Sequence, residues 1–269
     1  MKLKVLVDNN TFIDEYYLGE PALSFYIEDG DSKILFDTGY SDIFIKNAEK
    51  MNIDLNTLDK IIISHGHNDH TGGLKYLFEK IENKNIEIIA HDKCFNKKVC
   101  DDLEIGTPIS KEELEKVCTL NICNTVEKIT ENIIFLGEIP ELNKFEKRKI
   151  IGKCEENSKF ENDLVIEDTA IVYRSEKGLF IVTGCSHSGI CNIIEYAKKV
   201  CNESKIYGVV GGFHLFDCDE RLEQTIKYLK ENSIELLYPC HCVSLDAKIE
   251  IGKQIKIQEV GVGLEINII

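Results

Sequence analysis

The chain has 269 residues, 43% of them hydrophobic and 29% charged, with four prolines and no tryptophan. That length suffices for a large core, and no apolar run approaches the roughly 20 residues that cross a bilayer, so no membrane is expected. A formal net charge of −15 repels nucleic-acid phosphates and excludes that partner, while a small anionic substrate stays open because bound cations invert a local field. Eleven cysteines follow a start, MKLKVLVDNN, that lacks the apolar stretch of a signal peptide, so reduced thiols in a cytoplasmic protein are expected.

In chain order, KLKVLVD, ALSFYIED and KILFDT read as strands from their period-two or compact apolar patterns, with DGDS turning between the last two. SDIFIKNAEKM reads as a helix capped by Ser41. IIIS is a short buried strand, and Gly72-Gly73 leads into the helix LKYLFEKI and the strand IEIIAH. From about 92 to 150 the pattern breaks into short charged pieces such as KEELEKVC, with strand-like IIFLGEIP among them. This stretch is expected to be an insertion covering the site of a single 1–269 domain. DTAIVYRSEKGLFIVTG reads as a hairpin, followed by helix GICNIIEYAKKV, strand KIYGVVGG, helix DERLEQTIKYLKEN and strand IELLYP. A helix near 244–252 and a terminal strand complete an α/β pattern without internal repeats.

Chemistry concentrates in SHGHNDHTGG, residues 64–73, which holds three of the seven histidines. A loop leaving a buried strand aims alternate residues at one point, so His65 and His67 are suited to bind one metal ion. Asp69 and His70, a turn later, are suited to a second. Imidazole nitrogens with a carboxylate oxygen fit zinc, and also iron or manganese. Gly66, Gly72 and Gly73 let the backbone turn sharply and approach closely.

This H-x-H-x-D-H string after a hydrophobic strand resembles the metallo-β-lactamase superfamily. The resemblance implies a four-layer αβ/βα sandwich, with two metals at one sheet edge. LFDTG at 35–39 matches an early strand motif of that family, making Asp37 a carboxylate that orients the cluster histidines. The family's usual third histidine is missing here, because no histidine lies between His91 and His187. VTGCSHSG instead offers His187 as the replacement ligand. Cys185 stands where many members carry a bridging aspartate, and is either a ligand or an inert buried thiol. LLYPCHC places His241 where the family's last histidine binds the second metal. His214, in GGFHL, is a proton donor, a substrate contact or a packed histidine; with Asp69 it is the expected catalytic side chain. His91 is expected to be structural.

TGCSHSGI, GGFHL, PCHC and GEIPELNKFE together resemble one branch of the superfamily, whose members are described as metal-dependent hydrolases similar to an archaeal dihydropteroate synthase-like enzyme. Three functions are therefore weighed. The first is a dinuclear hydrolase of a small-molecule ester, thioester, lactone or phosphoester. The second is a transferase joining a dihydropterin to an arylamine ribosyl phosphate. The third is an iron-binding redox module, prompted by the pairs Cys94/Cys100 and Cys118/Cys123, although neither has ferredoxin spacing. Oligomeric state stays open.

Overall fold

A computed structural model describes residues 1–269. The chain forms two compact units, one of Met1–Asn124, Ile150–Glu167 and Gly261–Asn267, the other of Thr125–Lys149, Asp168–Val260 and Ile268–Ile269. No helix is long and apolar enough to cross a membrane.

The first unit is built on a seven-stranded sheet in the order Glu265–Asn267, Lys2–Val7, Ser24–Asp29, Ser32–Phe36, Lys60–Ile62, Glu87–Ala90, Thr119–Ile122. Pairing is antiparallel up to Ser32–Phe36 and parallel beyond it. The change follows from the connections. Gly30, at φ 61°, closes a tight hairpin, whereas helices Ile43–Lys50 and Leu74–Lys80 carry the chain back between parallel strands. Phe44, Ala48, Leu74 and Leu77 from these helices are fully buried with Leu35, Ile61 and Ile88 of the sheet. Each of the leucine, isoleucine and phenylalanine side chains contributes roughly 1.5–3 kcal/mol. At the first helix, Asp42 rather than Ser41 occupies the cap position, and the Ser41 hydroxyl accepts from the Ile43 N–H at 3.3 Å.

The second unit carries a six-stranded sheet in the order Leu236–Pro239, Ile206–Gly211, Gly178–Thr183, Ala170–Ser175, Ile133–Phe135, Glu127–Lys128. Helices Ile190–Cys201, Glu220–Glu231 and Leu245–Gly252 supply Ile193, Ile194, Leu222, Leu229 and Ala247 to one cluster with Val172, Ile181, Val209 and Leu237. The second of these helices starts where Asp219 accepts from the Leu222 N–H at 3.0 Å.

The stretch at about 92–150 differs from the single insertion its composition suggested. Thr119–Ile122 extends the seven-stranded sheet, and Glu127–Lys128 and Ile133–Phe135 extend the six-stranded one. Each finds a ladder whose edge is otherwise open. What stands apart is a four-stranded sheet in the order Lys159–Asn162, Lys153–Glu156, Lys98–Cys100, Leu103–Glu104. It draws half its strands from beyond residue 150.

Candidate metal centre

In the first unit the histidine loop leaves strand Lys60–Ile62 and turns through the short helix Asn68–Thr71. Its glycines are dictated by contact. A Cβ on Gly66 would sit 2.5 Å from the Cys94 carbonyl oxygen, and one on Gly73 would sit 2.1 Å from that of Thr38. His65, His67 and His70 are all buried.

Asp37 organises this loop from below. It is fully buried, at φ 58° in the left-handed region where non-glycine residues are uncommon. Its Oδ1 accepts from the Ser64 N–H at 2.8 Å, and its Oδ2 accepts from the Ser64 hydroxyl at 2.7 Å. Because that hydroxyl gives its proton to Asp37, it accepts from His65 Nδ1, 2.9 Å away. His70 Nδ1 lies 2.6 Å from the same Oδ2 and donates to it. Both rings thus carry the proton on Nδ1 and turn Nε2 outward as an acceptor, the tautomer a metal-binding imidazole requires.

His65 Nε2 is 3.1 Å from His67 Nδ1, and donor atoms of His65, His67 and Asp69 lie within 4.8 Å of one another. Burial above all, opposed by Asp69 and reinforced by Lys98, lowers the His67 pKa to about 4. The ring is neutral at pH 7, as a ligand must be. Two or three neutral imidazoles with one carboxylate form a donor set that fits a divalent cation.

In the second unit the candidate residues follow the ends of three adjacent parallel strands, where open α/β sheets place their ligands. Here the backbone does the aiming. Ser186, His214 and His241 have φ of 60°, 49° and 52°, strain that persists only where the surroundings over-determine it. The Ser186 hydroxyl donates to the Gly212 carbonyl at 2.6 Å, and Cys242 Sγ lies 3.4 Å from the Cys185 carbonyl oxygen. Asp168, fully buried, accepts from the Ser188 N–H at 3.0 Å and its hydroxyl at 2.5 Å, which fixes the turn after His187.

The rings of His187 and His214 are 4.4 Å apart, and Phe216 packs edge-on to His214 at 4.8 Å. Burial first, then Arg221, Lys149 and His241, lowers the His214 pKa to about 4. Its surroundings thus favour the neutral imidazole.

The first unit gathers His65, His67, Asp69 and His70 over Asp37, and the second gathers Cys185, His187 and His214, with His241 at the next strand end. His91 accepts from the Lys93 N–H at 3.1 Å and caps a short turn. Ser64 and Asp168 went unremarked in the sequence; Ser64 is marked only by its place beside His65 after a strand, and nothing local marks Asp168. No disulfide joins any of the eleven cysteines. Cys94, Cys100, Cys118 and Cys123 join no cluster of three or more metal donors, and burial pushes the Cys94 thiol well up, away from reactivity.

A profile of the Metallo-beta-lactamase superfamily matches residues 18–97, the stretch that holds Asp37 and the histidine loop. The chain belongs to this superfamily and has its mixed α/β fold. It is 35% identical to the 7,8-dihydropterin-6-methyl-4-(beta-D-ribofuranosyl)-aminobenzene-5'-phosphate synthase of Methanocaldococcus jannaschii, over 92% of this chain and 89% of that enzyme. An uncharacterised protein of the same organism is 34% identical, over 93% of this chain and 94% of its own length. Among solved structures, Tm1679, described as a metal-dependent hydrolase of the beta-lactamase superfamily, aligns with a TM-score of 0.85 at 30% identity. The alignment covers 99% of this chain and 98% of Tm1679.

Proposed function

We propose that this chain is a metal-dependent hydrolase acting on an ester, thioester, lactone or phosphoester bond of a small molecule. The observation that carries it is the Asp37–Ser64 wiring, which fixes two imidazoles in the metal-binding tautomer beside a third histidine and a carboxylate. Of the expected ligands to two divalent cations, His65, His67, Asp69 and His70 belong to the first unit and Cys185, His187 and His241 to the second. Zinc suits the nitrogen-rich donors best, with iron or manganese as alternatives. Such a pair, when bound, lowers the pKa of water and polarises the oxygen of the scissile bond.

The chain's own residues do the rest. Asp69, whose carboxylate is 29% exposed, is reachable from solvent and accepts the proton of the attacking water. His214, neutral at pH 7, donates one hydrogen bond to the substrate from its ring N–H. Nucleic acid is disfavoured by the net charge of −15.

A second reading is favoured by the 35% identity to the synthase. A dihydropterin bearing a diphosphate leaving group is attacked by an arylamine ribosyl phosphate at the same centre. One experiment separates the two. Metal-loaded protein is assayed with model carboxyl and phosphoryl esters, and separately for diphosphate release from a dihydropterin diphosphate with and without arylamine. Ester turnover abolished by chelation supports the hydrolase; release that requires arylamine supports the transferase. Neither activity in protein shown to contain metal sinks both.

A further inference from the structure

The small four-stranded sheet reaches the histidine loop through the backbone. The Asn68 N–H donates to the Ile105 carbonyl at 2.8 Å, and the Ile105 N–H donates to the Lys98 carbonyl at 2.9 Å. His67 itself pairs with Gly106 in an isolated antiparallel bridge. Lys98 therefore stands two hydrogen bonds away from the loop that carries the metal donors.

Its side chain is unusual for a lysine. It is fully buried, with Nζ 2.5 Å from an Asp163 oxygen and 2.7 Å from one of Glu167; those side chains are 6% and 1% exposed. Burial opposes the ammonium charge, but Glu167 and Asp163 outweigh it and hold the group above the ordinary lysine range. The turn that presents the carboxylates is strained. Val165, a β-branched residue, sits at φ 48°, and its N–H donates to Asp163 Oδ1 at 2.7 Å. Apolar side chains of the same volume would join two hairpins at least as firmly as a buried ion triad. What a triad adds is a single register.

We propose that Lys98, locked by Asp163 and Glu167, is a positioning residue that holds the small sheet in the register fixing the His67–Asn68 backbone. The effect on metal binding rests on the function proposed above; the anchoring does not.

Amide hydrogen exchange in metal-stripped protein, followed by cobalt(II) titration of the same samples, tests it. Lys98→Met/Glu167→Gln removes one charge of each sign, and Glu167→Gln alone is a milder variant that decides the matter if the first fails to fold. In the double variant the Asn68 and Ile105 amides should exchange about tenfold faster or more. The Thr38 amide, which donates to the His70 carbonyl at 2.7 Å, should stay within about twofold of wild type. Cobalt should bind about tenfold more weakly, with an altered visible absorption band. Glu167→Gln should move the same readouts by a smaller factor. Unchanged Asn68 exchange in both variants overturns the proposal, as does a Thr38 amide that accelerates equally. Wild-type protein that takes up no cobalt defeats the metal centre instead, while the exchange comparison still decides the anchor.

Discussion

The two units position their candidate ligands by different means. In the first, one contiguous loop is tied by side chains to a single buried carboxylate, so the hydrogen bonds of Asp37 set ring tautomer and direction together. In the second, the residues lie far apart in sequence and are aimed by left-handed backbone at Ser186, His214 and His241. A side-chain network fails when one partner is removed; an arrangement held by backbone strain is spread over three strand ends and tolerates loss of one ring. The first unit should therefore dominate metal affinity, and the second should dominate what happens to substrate.

The sharpest way to break this contrast is His67→Ala, measured by elemental analysis. Metal content should drop by about one equivalent, and metal-dependent turnover should fall by more than the roughly 100-fold that loss of an outer partner causes. Next comes His214→Leu, expected to lower kcat by roughly 10²-fold as a lost hydrogen-bond donor, with metal content unchanged. Asp37→Asn keeps the shape but replaces one acceptor oxygen by a donor, and should weaken metal binding by about 10–100-fold. An equal loss of metal in His214→Leu and Asp37→Asn would erase the distinction between the units.

Acid should stress both units of the metal-stripped protein alike. His67 and His214 have folded pKa values lowered to about 4 from the ordinary 6.5, so the unfolded chain binds protons first as pH falls. The stability tied to their neutral forms is complete above pH 6.5 and declines toward pH 4, by on the order of 2 kcal/mol per histidine at pH 5. Urea midpoints at pH 7.5, 6 and 5 check the sign: a midpoint that rises on acidification contradicts it. The smallest effect expected is that of Asp219→Ala. Loss of its bond to the Leu222 N–H should destabilise the second unit by about 1 kcal/mol and leave metal content untouched.

The same contrast explains how much was legible in the sequence. The candidate donors of the first unit are adjacent in SHGHNDH, and Asp37 stands at the end of an obvious strand, so residue type and spacing sufficed to single them out. Cys185, His187 and His241 were expected as ligands only through resemblance to a family, because nothing in their local sequence says that three strand ends are neighbours. Nor did residue type show that Ser64 relays between Asp37 and His65, or that His214 is held neutral by burial and nearby cations. The four-stranded sheet escaped detection because its strands are short and polar. Lys159–Asn162 is exposed throughout, and Lys153–Glu156 pairs with residues 98–99, more than fifty positions earlier in the chain.

Strand Glu265–Asn267 pairs with Lys2–Lys4, so the first unit borrows its outermost strand from the far end of the sequence. During synthesis the ladder edge of Lys2–Val7 stays uncovered while the entire second unit is being made, open to pairing with other nascent chains. Closing that edge requires a contact of nearly maximal sequence separation, which places it among the slow steps of folding.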